Sequence, residues 1–395
     1  MDKNNIKSVF KEYLNPLDAP ILSKMAAQMK LDKYVKKLDT LTFTKLFIYA
    51  ELAEIQSLTE TSFRVNHSSE LQEALQLQSI STSQLSRKLC QIPPTIFDAV
   101  LRHLIQKVRQ IFGFKKGNQL LEKLYIIDSS TITLGLSQYP WAPKNRYTGG
   151  VKMHTRVVYQ DEITYLDRLI ITAARPADRT QLDELIVNQE GALYVFDRGY
   201  YDYKKFQTMT NQGIRFVTRL KENAVYRVVE ERPITSESEI KREAIIFLGN
   251  MKTPLRLIEV VDSTGIPIQL VVNEANLSAK EVSEVYRKRW QIELFFKWMK
   301  QHTVLKSCFS KSYNGVHNQI YLAMIAFCLT LFMHQKMAVK RTLLVFKRMI
   351  QHYYFDTLEE LVEKLTHQSS RRNRGRQKVD YVKSFEEIEK QYGLK

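Results

Sequence analysis

Glu293 is the one acid in a basic, aromatic stretch, residues 286–300, that reads YRKRWQIELFFKWMK. On a helix of about 3.6 residues per turn, Tyr286, Arg289, Glu293, Lys297 and Lys300 share one narrow face. Ile292, Phe295, Phe296 and Met299 take the opposite, apolar side. Two readings of the carboxylate compete. As an i,i+4 partner of Arg289 and Lys297, it contributes only about 0.3–0.5 kcal/mol per pair. As a metal ligand, it belongs with Asp128 and Asp197, which follow the short apolar runs LYII and LYVF. Three carboxylates, two on strands and one on a later helix, can hold two Mg²⁺ ions together with water and phosphate oxygens. Two ions about 3.5–4 Å apart stabilise the attacking and leaving oxygens of a phosphodiester displacement.

The elements that must position these acids are legible in outline. Residues 123–134 form an apolar, β-rich run that carries Asp128. Residues 151–159 and 163–174 alternate like two strands of a hairpin, with 160–162 turning between them. A helix is expected over 179–189, a strand over 192–202 ending near Asp197, a helix over 203–211 and a strand over 213–220. Ligand sites of open α/β sheets gather at such strand ends. Residues 224–276 turn strand-rich and read as an antiparallel insertion. Ser278 and Glu281 then fit a capping box that opens the Glu293 helix.

The rest of the chain is helical in pattern. Before residue 115, apolar residues recur at three and four, and Gly and Pro are scarce. Residues 70–89 read as helix, short turn, helix, with Ser81 to Ser83 as cap candidates. That arrangement places Gln84, Arg87 and Lys88 on an exposed side, where a helix-turn-helix reader contacts DNA; two ordinary packed helices are the competing reading. The apolar run 320–333 has 14 residues, short of the roughly 20 needed to span a bilayer, and reads as a buried helix. RRNRGRQK, residues 371–378, is a basic tail segment with five cations.

Composition narrows the function classes. The 395-residue chain carries a formal charge of +17, which suits a polyanionic partner such as nucleic acid. Its three cysteines, Cys90, Cys308 and Cys328, form no CxxC pair, so neither a disulfide framework nor a thiolate zinc site is indicated. The first residues lack a signal-peptide apolar core. No Walker loop indicates a nucleotide cofactor, and no GxSxG elbow supports Ser129 or Ser130 as a nucleophile. The scattered cysteines fit a reducing, cytoplasmic setting, and no membrane partner is expected.

Tyr286, Arg289, Glu293 and Lys300 together match the spacing of the YREK signature, and the segment resembles bacterial insertion-sequence transposases of the IS-four family. IIDSST around Asp128 and FDRGYYD around Asp197 are similar to the first and second acids of that family's DDE triad. The intervals are 69 residues between Asp128 and Asp197, and 96 between Asp197 and Glu293. The longer interval resembles members with a β-rich insertion before the Glu helix. The likeness covers roughly residues 120–305.

The resemblance implies an RNase H-like mixed sheet flanked by helices, with a β-strand insertion, an all-helical N-terminal domain and a helical C-terminal region. The expected division is 1–115 for DNA binding, 116–222 and 278–335 for the two parts of the catalytic core, 223–277 for the insertion and 336–395 for the basic C-terminal region. It implies cut-and-paste transposition with two Mg²⁺ or Mn²⁺ ions on Asp128, Asp197 and Glu293. Double-stranded DNA with terminal inverted repeats is the expected substrate, target DNA the acceptor, a hairpin the expected intermediate and a homodimer the synaptic form. Tyr286, Arg289 and Lys300 would bind phosphates at the element's end, with Lys297 on the same face. Hairpin chemistry calls for an aromatic ring to hold an extruded base. Trp290 and Trp298 bracket Glu293, though Trp298 points to the apolar side, and Tyr226 in the insertion is the other candidate.

Lesser candidates complete the set. Arg219, Lys221 and Asn223 follow a strand and suit phosphate contact, against the alternative of a solvated turn. Lys152 and His154 lie two apart on one strand and face the same way, so His154 could assist near the acids; a lone histidine that only hydrogen-bonds is the competing reading. Asp161, Asp167, Asp178 and Asp202 read as turn or surface acids. The rival function is a catalytically inactive, sequence-specific DNA-binding protein or repressor. A carbohydrate-cleaving carboxylate pair sits poorly with the basic charge.

Overall fold

The computed structural model describes residues 8–113, 123–234, 239–261 and 265–366. The basic segment 371–378 lies outside the described residues. Seven helices precede the first strand among the described residues: α1 (Val9–Leu14), α2 (Ala19–Gln28), α3 (Thr40–Leu52), α4 (Leu58–His67), α5 (Ser69–Leu75), α6 (Thr82–Gln91) and α7 (Pro94–Gly113). Ser8, Asp18, Asp39, Ser57, Ser68 and Ser81 cap the first six, each side chain accepting a backbone N–H of the first turn. Ser81 and Gln84 complete a capping box on α6. In α7, Phe97, Leu101, Leu104 and Val108 recur at helical spacing and all are buried.

The strands are β1 (Lys123–Leu134), β2 (Gly149–Gln160), β3 (Ile163–Ala173), β4 (Ala192–Phe196), β5 (Arg215–Arg219), β6 (Tyr226–Arg232), β7 (Ile240–Leu248), β8 (Leu255–Val261) and β9 (Pro267–Val272). They form one sheet in the order β3-β2-β1-β4-β5-β9-β8-β7-β6. In the first five strands, β2 alone runs against its neighbours, and β1, β4 and β5 are parallel. The mixed sheet expected from the sequence is therefore present, with helices before and after it. The β2–β3 turn is a two-residue loop, Asp161-Glu162, with φ of 49° and 63°. Two positive φ values make a type I′ turn, whose twist matches that of the flanking strands.

The strand-rich segment is antiparallel as expected, but it extends the same sheet. Its last strand, β9, pairs antiparallel with β5, and β8, β7 and β6 follow outward. Pairing with β5 satisfies an edge that would otherwise expose backbone groups.

Two helix expectations need correction. Residues 179–189 form only a 3₁₀ turn, Asp178–Gln181, and a single helical turn, α8 (Leu182–Leu185). Buried Leu182 and Leu185 anchor that turn, and the Tyr194 hydroxyl then donates to Val187 O at 2.7 Å. That bond and the β-branched Ile186 and Val187 hold the chain extended. After α9 (Tyr203–Asn211), the Glu293 segment is two helices, α10 (Ala279–Arg287) and α11 (Trp290–His302), rather than one. Arg289, Gln291 and Ile292 donate to carbonyls three residues back, so the joint at Lys288–Arg289 is wound tighter than an α-helix.

The remaining helices are α12 (Tyr313–Lys336), α13 (Leu343–His352) and α14 (Leu358–Thr366). α12 is long and apolar enough to cross a membrane, but it is buried on nearly every face. It packs on α3, α6, α7 and α13, and so ties the N-terminal helices to the C-terminal ones. The buried Tyr13 hydroxyl donates to Ala326 O at 2.7 Å and lies 3.0 Å from Thr330 Oγ1. Among the acids expected at turns or on the surface, Asp161 sits in the β2–β3 turn and Asp202 caps α9. Asp167 departs from that expectation: it is buried and paired with both Arg109 and Arg156.

Candidate active site

Asp128 lies on β1, one residue past the rung where Ile127 faces Phe196 of β4; Asp197 directly follows Phe196. Parallel pairing therefore sets the two aspartates side by side. Glu293 stands in the first turn of α11, whose Ile292, Phe295, Phe296 and Met299 are buried as the periodicity predicts. Helix α11 packs against β1 and so carries Glu293 to the same strand end.

One guanidinium joins the acids. Arg289 Nη2 is 2.7 Å from Glu293 Oε1, and Arg289 Nη1 is 3.8 Å from Asp128 Oδ2. Arg289 is mostly buried, and its Nε has no hydrogen-bond partner among the described residues. Arg289 thus pairs with Glu293, its i,i+4 neighbour, and neutralises the acid. Burial pushes the Asp128 carboxyl up to about 6; Asp197 and Glu293 add to the rise, while the Ser129 N–H and Arg289 oppose it.

A divalent cation suits this donor set in kind. Asp197 and Glu293 lie near enough to the buried Asp128 carboxyl to raise it, all three offer hard oxygen donors, and a positive charge already lies between two of them. Among the described residues, however, no three His, Cys, Asp or Glu side chains are grouped closely enough to hold one ion as they stand.

A second ring of residues supports the first. The Ser129 N–H donates to Asp128 Oδ1 at 2.7 Å, and Ser129 Oγ donates to Asp178 Oδ1 at 2.9 Å. Lys152 Nζ lies 3.0 Å and His154 Nδ1 3.5 Å from the same Asp178 oxygen. Asp178 is thus a hub beside the site and not the surface acid expected from sequence; nothing local in the sequence signals this, because its partners come from β1 and β2. His154 is fully buried, burial pushes its pKa down to about 4, and its Nε2 bonds Thr172 Oγ1 at 3.0 Å. Burial thus favours its neutral form. Tyr200 went unnoticed in the sequence although it sits in FDRGYYD. Its phenol is buried beside Ser129, and burial, with Asp128, Asp178 and Asp197 nearby, holds it well above the usual tyrosine range.

A family model described as a transposase DDE domain matches residues 119–329, more than half of the chain and all three acids. The chain belongs to the DDE transposase family. A second model, a domain of unknown function designated DUF4372, matches residues 5–74 of this family member. It is 28% identical over 253 residues to a probable transposase for insertion sequence element IS5377 of Geobacillus stearothermophilus, covering 62% of this chain and 66% of that one. It is 35% identical over 215 residues to the putative transposase y4zB of Sinorhizobium fredii, covering 52% and 59%. The chain therefore spans about three-fifths to two-thirds of the length of these curated relatives. A piggyBac transposase synaptic complex with hairpin DNA aligns over 93% of this chain and 84% of that chain, at 12% identity and a TM-score of 0.48.

The remaining predicted residues of this DDE family member fall into three groups. Near the acids, Tyr286 lies under the Arg289 guanidinium with Arg219 also close; burial pushes its phenol up. Lys300 Nζ donates to Thr131 O of β1 at 3.3 Å, and Lys297 is exposed. Trp290 is exposed, whereas Trp298 packs against Phe327 and His302 on the core side. Beside the site, Lys221 and Asn223 line an open cleft of about 580 Å³ with Arg179, Tyr201, Tyr203 and Lys204. Tyr226 is half-buried at the start of β6, its hydroxyl 3.4 Å from Gln269 Nε2. In the N-terminal helices, Arg87 is exposed, while Gln84 is committed to the cap of α6. Lys88 is a correction: it is buried, with Nζ 2.6 Å from Asp32 Oδ1. Its position on α6 faces the loop before α3, not solvent.

Proposed function

We propose that this protein is a cut-and-paste DNA transposase that cleaves the ends of its element and joins them to target DNA. The observation that carries the reading is the bridging of Asp128 and Glu293 by one guanidinium, with Asp197 on the adjoining strand end. Asp128, Asp197 and Glu293 would hold two Mg²⁺ or Mn²⁺ ions. Bound there, such ions activate water and stabilise the charge on the oxygens of the displaced phosphodiester. Arg289 is the residue that must change partners: leaving Glu293, it binds a phosphate of the element's end, a charge-assisted and bidentate contact suited to its fork. Tyr286, Lys297 and Lys300 line the same face and position that strand. Lys221 and Asn223 continue the basic path, and DNA bearing inverted repeats, target DNA and a second copy of the chain complete the assembly. A hairpin intermediate belongs to this reading, with exposed Trp290 a better base-stacking candidate than core-packed Trp298.

The Arg289–Glu293 ion pair also suits a second reading, a DNA-binding protein without catalysis, because a site already neutralised needs no metal. The two separate cleanly. Purified protein is incubated with labelled duplex carrying the element's ends and Mg²⁺, and nicks, hairpins and joined products are resolved on denaturing gels. The transposase reading expects cleavage that Glu293→Gln abolishes while DNA binding persists. Binding with no strand cleavage under any divalent ion favours the second reading instead.

A further inference from the structure

The sequence placed a DNA-reading face on α6 through Gln84, Arg87 and Lys88, and burial of Lys88 removes one of the three. What Lys88 does instead is informative. Its ammonium reaches across to the segment between α2 and α3, 2.6 Å from Asp32 Oδ1 and 3.4 Å from Leu31 O. The same Asp32 oxygen accepts from Thr40 N at 2.9 Å and Thr40 Oγ1 at 2.8 Å. Asp32 is thereby turned inward and fixed. The loop that follows, Lys33-Tyr34-Val35-Lys36-Lys37, is exposed at every residue and stands beside the outer face of α6. Between them runs a groove of about 500 Å³ whose lining includes Tyr34, Lys36, Lys37, Arg87 and Gln91 and no acid.

Two features mark this loop as more than a solvated turn. Tyr34 is 87% exposed yet holds a left-handed φ of 65°, a conformation that a bulky side chain rarely adopts. Such outliers persist where surrounding structure enforces them, and here the Val35 N–H donates to Asp32 O at 3.1 Å and closes the turn that holds Tyr34. Its ring also carries Lys33 Nζ at 4.9 Å, so the aromatic face is presented together with a cation. A half-buried ion pair thus sets the exposed Lys36 and Lys37 beside Arg87, with Lys33 at the start of the same loop.

We propose that the Lys33–Lys37 loop and the outer face of α6 form one docking surface for duplex DNA, separate from the acid triad. Lys33, Lys36 and Lys37 contact phosphates, and Arg87 and Gln91 lie toward the base edges of the adjoining groove. Lys88 and Asp32 are positioning residues that set the loop against α6. The proposal rests on the reading of this chain as a DNA-acting protein and gives its N-terminal segment a part in that work.

The test is equilibrium binding of the full chain to labelled duplexes, measured by fluorescence anisotropy across a series of salt concentrations. One duplex carries the element's end, one is scrambled, and a single strand is the third probe. Replacing Lys33, Lys36 and Lys37 by Ala weakens binding to both duplexes alike and flattens the slope of log K against log salt by about 0.9 per lost contact. Arg87→Ala reduces the ratio between the two duplexes. Lys88→Met removes no exposed charge, yet weakens binding while the melting temperature shows a folded chain; where that variant fails to fold, the triple-Ala slope alone decides. An unchanged slope in the triple variant, or preference for the single strand, overturns the proposal. Cleavage of the element's end with Mg²⁺ is scored separately on denaturing gels, so loss of cleavage and loss of docking are read independently.

Discussion

Replacing Asp128 by Asn should stabilise the metal-free protein above pH 6 while removing a proposed metal ligand. The Asp128 carboxyl rises from 3.8 to about 6 on folding, so the folded state binds its proton more tightly than the unfolded state does. A raised carboxylate therefore contributes stability at low pH and loses it as pH rises between these two values. The full cost above pH 6 is about 3 kcal/mol, from roughly two units at about 1.4 kcal/mol each. Linkage between pH 5 and pH 8 takes about 1.4 kcal/mol of that, since the unfolded carboxylate is already ionised at pH 5. The Asp128 side chain keeps 23% exposure, and solvent trims the figure somewhat. Asn retains an oxygen for the Ser129 N–H and has no charge to desolvate.

The assay is thermal or urea unfolding of both proteins in chelator at pH 5 and pH 8. Asp128→Asn is expected to gain about 1 kcal/mol on the wild type between the two, a few degrees or less in Tm for a chain of this length. A stability difference that is the same at both pH values would refute the burial argument. A gain that appears at pH 8 and vanishes on adding Mg²⁺ to the wild type would tie the strain to the ion it awaits.

Three further outcomes follow from the packing. Asp167→Asn leaves Arg109 and the buried Arg156 without their shared carboxylate and is expected to cost about 3–5 kcal/mol, read as a lower urea midpoint at unchanged slope. Tyr13→Phe removes the hydroxyl that α1 gives to Ala326 O and Thr330 of α12, at a cost of about 1–2 kcal/mol in the same measurement. Glu162→Gly relieves the positive φ of the β2–β3 turn and should stabilise by about 0.5–1 kcal/mol; a loss would show that the Glu162 side chain has a role the backbone does not reveal.

Much of the fold was legible because strand and helix periods are local. The spans of β1 and α9, the turn at Asp161-Glu162, the Ser278–Glu281 capping box and the buried face of α11 all follow from neighbours within a few residues. The placement of Asp128 and Asp197 at neighbouring strand ends was legible too, since each directly ends an apolar run.

What sequence could not fix is every relation carried by distant partners. The strand-rich segment joins the core sheet because β9 meets β5, a pairing that only the folded edge permits. Lys88 turns inward because Asp32, far back in the chain, lies beneath α6. Asp178 becomes a hub because two strands deliver Ser129 and Lys152 to it. The local elements were thus written in the chain, while the partner of each charge was decided by tertiary structure. Charge pairing depends on distance and burial, and neither is a property of sequence spacing.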